Sequence, residues 1–179
     1  MTATVRIWDP LIRVFHWALV ASFAIAWISA EDWDTVHEWA GYTAAGLVLV
    51  RVVWGLAGPR YARFGQFLRA PRVVAVYLRE MLHHREPRYL GHNPAGGLMV
   101  VGLMMAMLGL SLTGWLYTTS AFWGSEWLEE AHELLANTLL VMVVIHLVGV
   151  VLASLRHGEN LVRSMFSGEK RAAASGDIA

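Results

Sequence analysis

Apolar residues gather along the chain into four runs, at about 11–30, 38–57, 95–117 and 132–155, and the segments between them carry most of the charge. A helix crosses the hydrocarbon core of a bilayer with roughly 20 predominantly apolar residues. The pattern therefore predicts four membrane spans, which return the C-terminus to the side where the chain starts. The first run exceeds the apolar stretch of about 7–15 residues in a signal peptide. It also ends in Ile28-Ser29-Ala30 without a small-x-small cleavage pattern, so it reads as a retained helix. Gly55, Gly58 and Pro59 close the second run.

The connection 58–94 has a pattern of its own. After Pro71, which suits a first helical turn, the stretch Arg72 to His84 puts Val73, Val74, Tyr77, Leu78, Met81 and Leu82 near one face, with Arg72, Arg79, Glu80 and His83 elsewhere. This predicts an amphipathic helix on the membrane surface; the alternative is a solvated loop held near anionic lipid by its arginines. The expected fold is all-α, an integral membrane four-helix bundle with an additional amphipathic interfacial helix in the 2–3 loop. Residues 1–167 form its single domain, and 168–179, rich in Ala, Ser and Gly, read as a disordered tail.

Charge orients the spans. The 14 Lys and Arg residues are Arg6, Arg13, Arg51, seven arginines from Arg60 to Arg88, and Arg156, Arg163, Lys170 and Arg171. The connections 31–37 and 118–131 hold no Lys or Arg and carry Glu31, Asp32, Asp34, Glu126, Glu129 and Glu130. The positive-inside rule then puts both termini and the 58–94 loop in the cytoplasm, and the acidic connections outside. Overall, 56% of residues are hydrophobic and 16% charged, with zero net charge, against about 25% charged in soluble domains. The lack of a basic strip argues against nucleic acid as a partner. Without cysteine there is no disulfide, thiolate nucleophile, cysteine-ligated iron–sulfur cluster or CxxCH haem attachment. Histidine, methionine and carboxylate remain for metal chemistry.

Polar side chains in a bilayer are costly, which makes an intramembrane ionisable group a functional candidate. Four of the eight histidines, His16, His37, His132 and His146, lie in or at the edges of the spans. His132 and His146 share one predicted helix, and their spacing is close to four turns, a rise of about 21 Å. In this orientation His132 lies near the outer surface and His146 nearer the cytoplasm. His16, early in the first span, matches His146 in depth; His37, opening the second, matches His132. Two neutral imidazoles from different helices meet the axial requirement of six-coordinate haem iron, and bundle interiors hold such cofactors. Each histidine taken singly has another reading, an interhelical hydrogen bond. Zinc fits less well, because its sites want three or four ligands at one depth.

Small residues in the second and third spans, including Gly41, Ala44, Gly102, Gly109 and Gly114, would admit a macrocycle, but they also simply pack membrane helices. Arg13 and Arg51 lie at the inner level and are candidates for pairing with haem propionates; snorkelling to lipid phosphate is the alternative. At the outer level Trp33, Trp39, Tyr117, Trp123 and Trp127 could donate to propionates, or form the interfacial aromatic belt.

Several words of sequence resemble a known group. Val5-Arg6-Ile7-Trp8-Asp9-Pro10, Arg13-Val14-Phe15-His16-Trp17, His37-Glu38-Trp39-Ala40-Gly41-Tyr42, Gly91-His92-Asn93-Pro94, and His132 with Leu135-Ala136-Asn137 before His146 resemble the bacterial cytochrome b561 / Ni,Fe-hydrogenase b-type cytochrome superfamily over about residues 5–167. The resemblance implies a membrane subunit with two haem b groups that moves electrons between a redox partner and the quinone pool, in the bacterial cytoplasmic (inner) membrane. It implies axial ligands at His16, His37, His132 and His146. It also makes His92 and Asn93 quinone-site candidates, Asn93 through a hydrogen bond to a quinone carbonyl and His92 through proton transfer. A helix cap by Asn93 before Pro94 is the alternative.

The chain departs from the longer hydrogenase cytochromes in its short outer loops. Superoxide-oxidising relatives share the HxxLAN pattern, and a stand-alone superoxide:quinone oxidoreductase is an alternative function; the acidic outer loops oppose it, since they would repel the anion. They would attract a basic partner such as a c-type cytochrome, or leave docking of a periplasmic redox enzyme to apolar contacts. A haem-free membrane anchor and a proton-coupled transporter are the remaining rivals, the latter weakened by the lack of paired Pro-broken spans. The sequence offers no hydrolytic or group-transfer site, and homo-oligomers are compatible with it.

Overall fold

The computed structural model describes residues 3–179. Its four long helices are α1 (Pro10–Ser29), α2 (Asp34–Ala57), α5 (Pro94–Tyr117) and α6 (Glu126–His157), each long and apolar enough to cross a membrane. The short helices are α3 (Phe64–Phe67), α4 (Pro71–Leu82) and α7 (Leu161–Ser167), and two short strands are β1 (Thr4–Arg6) and β2 (Glu169–Arg171). The architecture is an all-α membrane helical bundle, as expected.

The helix starts follow local chemistry. Asp9 accepts from the backbone N–H groups of Leu11 and Ile12 through its Oδ1 (3.0 and 3.2 Å), with Pro10 as the first residue of α1, an acidic cap before a proline. Pro71 opens α4, whose limits fall within a few residues of the amphipathic stretch. Helices α2 and α6 begin earlier than the apolar runs 38–57 and 132–155. Their polar first turns, Asp34 and Glu126 with Glu129, continue the helix beyond the hydrophobic stretch, where negative charge suits the N-terminal dipole.

Two compact units divide the chain. One comprises Val14–Val52 and Gly102–Val144 and contains most of α1 and α2 and the adjoining parts of α5 and α6. Ala44, Val48, Met104, Met107, Leu128 and Leu139 are buried in it. Ile28, Met105, Leu134, Val141 and Val144 are exposed, as side chains facing lipid would be. Small residues bring α5 close to α6: a Cβ at Gly102 would stand 2.7 Å from Met142 Cε, and one at Gly109 3.5 Å from Leu135 Cδ1.

The other unit joins the chain up to Arg13 with Val53–Val101 and Ile145–Ala179. Here β1 pairs antiparallel with β2, Val5 opposite Lys170. Gly168, at φ 83°, ends α7 in the left-handed cap that glycine accepts at least cost, and its carbonyl receives the N–H groups of Ile7 and Trp8. Ile7, Trp8, Ile12, Ala62 and Leu90 form a buried cluster.

The C-terminal segment corrects an expectation. Its composition suggested a disordered tail over 168–179, yet Lys170 binds Glu159 (2.9 Å), Arg88 binds both Glu159 (2.7 Å) and Asp177 (2.5 Å), and Ile178 exchanges backbone bonds with Arg88 and Leu90. Burial pushes the Glu159 carboxyl up, but hydrogen bonds from Arg88 and Lys170 outweigh it and hold the group below its usual range. Arg88 lies 71 residues from Glu159 and 89 from Asp177 in sequence, so local composition carries no trace of it.

Candidate functional site

The site begins with two imidazoles. His37 stands in the first turn of α2 and His132 two turns into α6, with ring centroids 6.0 Å apart and planes at 67°. Each ring is fixed through the same nitrogen. His37 Nδ1 lies 2.8 Å from the carbonyl oxygen of Ala26 on α1; a carbonyl only accepts, so the proton is on Nδ1. His132 Nδ1 lies 2.9 Å from Thr113 Oγ1 on α5. The Thr113 hydroxyl donates to the carbonyls of Gly109 and Leu110 (3.1 and 3.0 Å), which leaves its oxygen to accept from His132 Nδ1–H. In both rings Nε2 is therefore the nitrogen with a lone pair for a ligand.

This arrangement fits haem iron. With their rings 6.0 Å apart, His37 and His132 would hold such a group through Nε2, one from each side of the crevice. Metal-bound histidine typically donates its second nitrogen to a carbonyl or similar acceptor, which sets tautomer and orientation; Ala26 and Thr113 supply those acceptors. The crevice beside the rings is lined mainly by apolar and small side chains, among them Phe23, Gly41, Ala44, Met107 and Gly114, has a cavity volume of about 80 Å³ and is partly open to the surroundings. A Cβ at Gly41 would meet nothing within 4 Å, whereas one at Gly114 would stand 3.1 Å from His132 Cε1. Gly41 leaves room beside α2, and Gly114 lets the His132 ring lie close to α5.

Sequence reasoning named the two histidines and the glycines but missed Thr113 and the Ala26 carbonyl. A detectable signal existed for the first, a hydroxyl within the apolar run at Ser111-Leu112-Thr113-Gly114. A backbone carbonyl on another helix leaves no such signal.

The remaining candidates are dispersed. His16, half-buried, meets the edge of Trp17 at 5.0 Å and belongs to the same unit as His37 and His132; His146 belongs to the other. Arg51 is 2% exposed on α2. Arg13 donates to the carbonyl of Phe166. His92 lies against Trp8 and Phe67, ring centroids 4.8 and 4.6 Å away. Asn93 is the N-cap of α5: its Oδ1 accepts from Gly96 N–H at 2.7 Å. Of the aromatics in and beside the acidic connections, Trp33, Trp39, Trp123 and Trp127 are exposed, and the Tyr117 hydroxyl donates to Glu129 (3.4 Å).

The chain thus combines four helices of membrane-spanning length with two neighbouring, oriented imidazoles on α2 and α6. The chain belongs to the prokaryotic cytochrome b561 family, whose model matches residues 7–168. It is accordingly a b-type cytochrome, a membrane electron-transfer subunit with b-type haem. Two curated relatives carry the name probable Ni/Fe-hydrogenase B-type cytochrome subunit. The protein from Bradyrhizobium diazoefficiens is 24% identical over an alignment that covers 94% of this chain and 86% of the relative. That from Rhizobium leguminosarum bv. viciae is 26% identical, covering 93% and 89%. No solved structure matches the chain significantly.

Proposed function

We propose that this cytochrome carries two bis-histidine haem b groups and passes electrons between an outer-face redox partner and the quinone pool of the bacterial inner membrane, with both termini cytoplasmic. The observation that carries the reading is the His37/His132 pair at 6.0 Å, with both Nδ1 positions committed to acceptors. Bound haem supplies a one-electron iron couple. His37 and His132 hold the outer group, and their Nδ1–H bonds make each ring a firmer, more basic ligand. His16 and His146, matched in depth by their places in the spans, hold the inner group, with Arg13 and Arg51 as donors to its propionates.

At the inner end Asn93 keeps its Oδ1 on the α5 cap, and its amide N–H₂ donates to a quinone carbonyl. His92 beside it relays a proton. At the outer end the acidic connections around Asp34 and Glu129 receive a partner with a basic face, and the relatives' names favour a redox enzyme there. Haem content tests the reading. His132→Ala should remove the outer haem and His146→Ala the inner one, each leaving about one haem per chain. Two haems and an unchanged spectrum in both variants would refute the pairing.

A further inference from the structure

A second crevice lies where α2 ends, in the unit containing Val53–Val101. Its walls come from Gly55, Leu56, Phe64 and Gly65, and Arg60, Arg63 and Gln66 supply the polar groups. The Phe64 ring forms part of the floor because residue 55 has no side chain: a Cβ there would stand 2.2 Å from Phe64 Cε2. Both guanidinium groups are steadied. Arg63 Nε donates to the Gly58 carbonyl (2.6 Å), which leaves its terminal nitrogens for a ligand, and Arg60 lies over the Tyr61 ring at 5.5 Å. No acidic residue lines the crevice. Gln66 Oε1 is buried without a hydrogen-bond partner, an acceptor that lacks a donor. Leu56 in the crevice wall and Val53 one turn earlier are 71% and 63% exposed.

These features call for a ligand with an anionic group for two arginines and apolar chains to cover Val53 and Leu56. We propose that the crevice binds an anionic phospholipid, phosphatidylglycerol in chemical class. Its phosphate lies between Arg60 and Arg63, its headgroup lies beside Gln66, and its acyl chains run along the exposed face of α2. Basic pockets at membrane-helix ends suit anionic headgroups, and the bidentate fork of arginine suits phosphate. The inference is independent of the number of haems and of the quinone site.

The test uses the full-length haem-loaded protein, delipidated in detergent and titrated by native mass spectrometry with phosphatidylglycerol, phosphatidylcholine or inorganic phosphate. Tight binding of about one phosphatidylglycerol and weak binding of the other two is expected. Arg60→Gln/Arg63→Gln should weaken it about 10-fold or more, given the contribution of each arginine near an anionic headgroup. Gly65→Leu tests the cavity with both charges kept. A Cβ there meets nothing within 4 Å, so the leucine should fill the crevice and also displace the lipid. Arg69→Gln, outside the lining, serves as the control, and the haem spectrum reports folding of each variant. Equal affinity for both lipids, retention by Gly65→Leu, or the same loss in the control would overturn the proposal. Inorganic phosphate binding as tightly as the lipid would make this a free-anion site and overturn it equally.

Discussion

In the unit built from Val14–Val52 and Gly102–Val144, hydroxyls and imidazoles bond to oxygens on their own or neighbouring helices: Ser29 to Ile25, Thr43 to Trp39, His37 to Ala26, and His132 to Thr113. In the other unit, polarity is buried as charge, through Arg88 with Glu159 and Asp177 and Lys170 with Glu159. The difference follows from solvent. An apolar span offers no water to an unpaired polar group, so these hydroxyls and imidazoles use neutral acceptors nearby, which also orients the two histidines; Arg51 is the buried charge of this unit. Where helices give way to connecting segments, charges are plentiful, and buried pairs can join stretches distant in sequence.

The largest expected effect separates the two kinds of polarity outright. His37→Ala should cost one haem per chain and leave the helices intact, read by pyridine haemochrome and circular dichroism. Arg88→Ala should do the converse. Its side chain is 3% exposed, and removing one partner of a buried ion pair costs about 3–5 kcal/mol. Thermal unfolding should shift down sharply while haem stoichiometry is preserved in the folded fraction.

Acid probes the same network. The folded-state values of Glu159 and Asp177 are held below their ordinary 4.5 and 3.8. For Glu159 the paired cations outweigh burial; for Asp177 a hydrogen bond from the Ala174 N–H contributes most, with Arg88 adding to it. A depressed carboxyl stabilises the fold fully above its unfolded value and loses that contribution as pH falls through the folded one. Acid unfolding of the wild type should therefore steepen below about pH 4.5, and Glu159→Gln should flatten it.

Smaller changes sharpen the haem side. Thr113→Val keeps the volume near His132 but removes its acceptor; loss of such a partner weakens metal-group retention by about 10-fold or more, measurable by haem transfer to apomyoglobin. Gly114→Ala would bring a methyl group 3.1 Å from His132 Cε1, and a shift of the reduced α-band without haem loss is the expected sign. An unchanged band would mean that the ring does not depend on that glycine.

Much of this organisation is legible in the sequence, because its causes are local. Apolar runs of spanning length give α1, α2, α5 and α6, and the Asn93-Pro94 word gives the cap of α5; the Asp9 cap of α1 emerges only from the structure. The 3.6-residue spacing after Pro71 gives α4, and histidine depth gives the His37/His132 pair. What escapes is non-local. The β1–β2 ribbon brings together the two ends of the chain, and Lys170 and Asp177 gain order from Glu159 and Arg88. The acceptors of His37 and His132 come from helices other than their own, and one of them is backbone. Asn93, which the resemblance offered to quinone, spends its oxygen on the helix cap; only the amide nitrogen remains for that role.

The central claim is that paired histidines hold two haems. The most direct measurement is the haem-to-protein ratio of the purified, detergent-solubilised protein by pyridine haemochrome, with a dithionite-reduced minus oxidised spectrum. The account predicts a ratio near two with low-spin b-type bands, falling to about one in His37→Ala and in His146→Ala. A ratio near one in the wild type that is unaffected by one of these substitutions would contradict it.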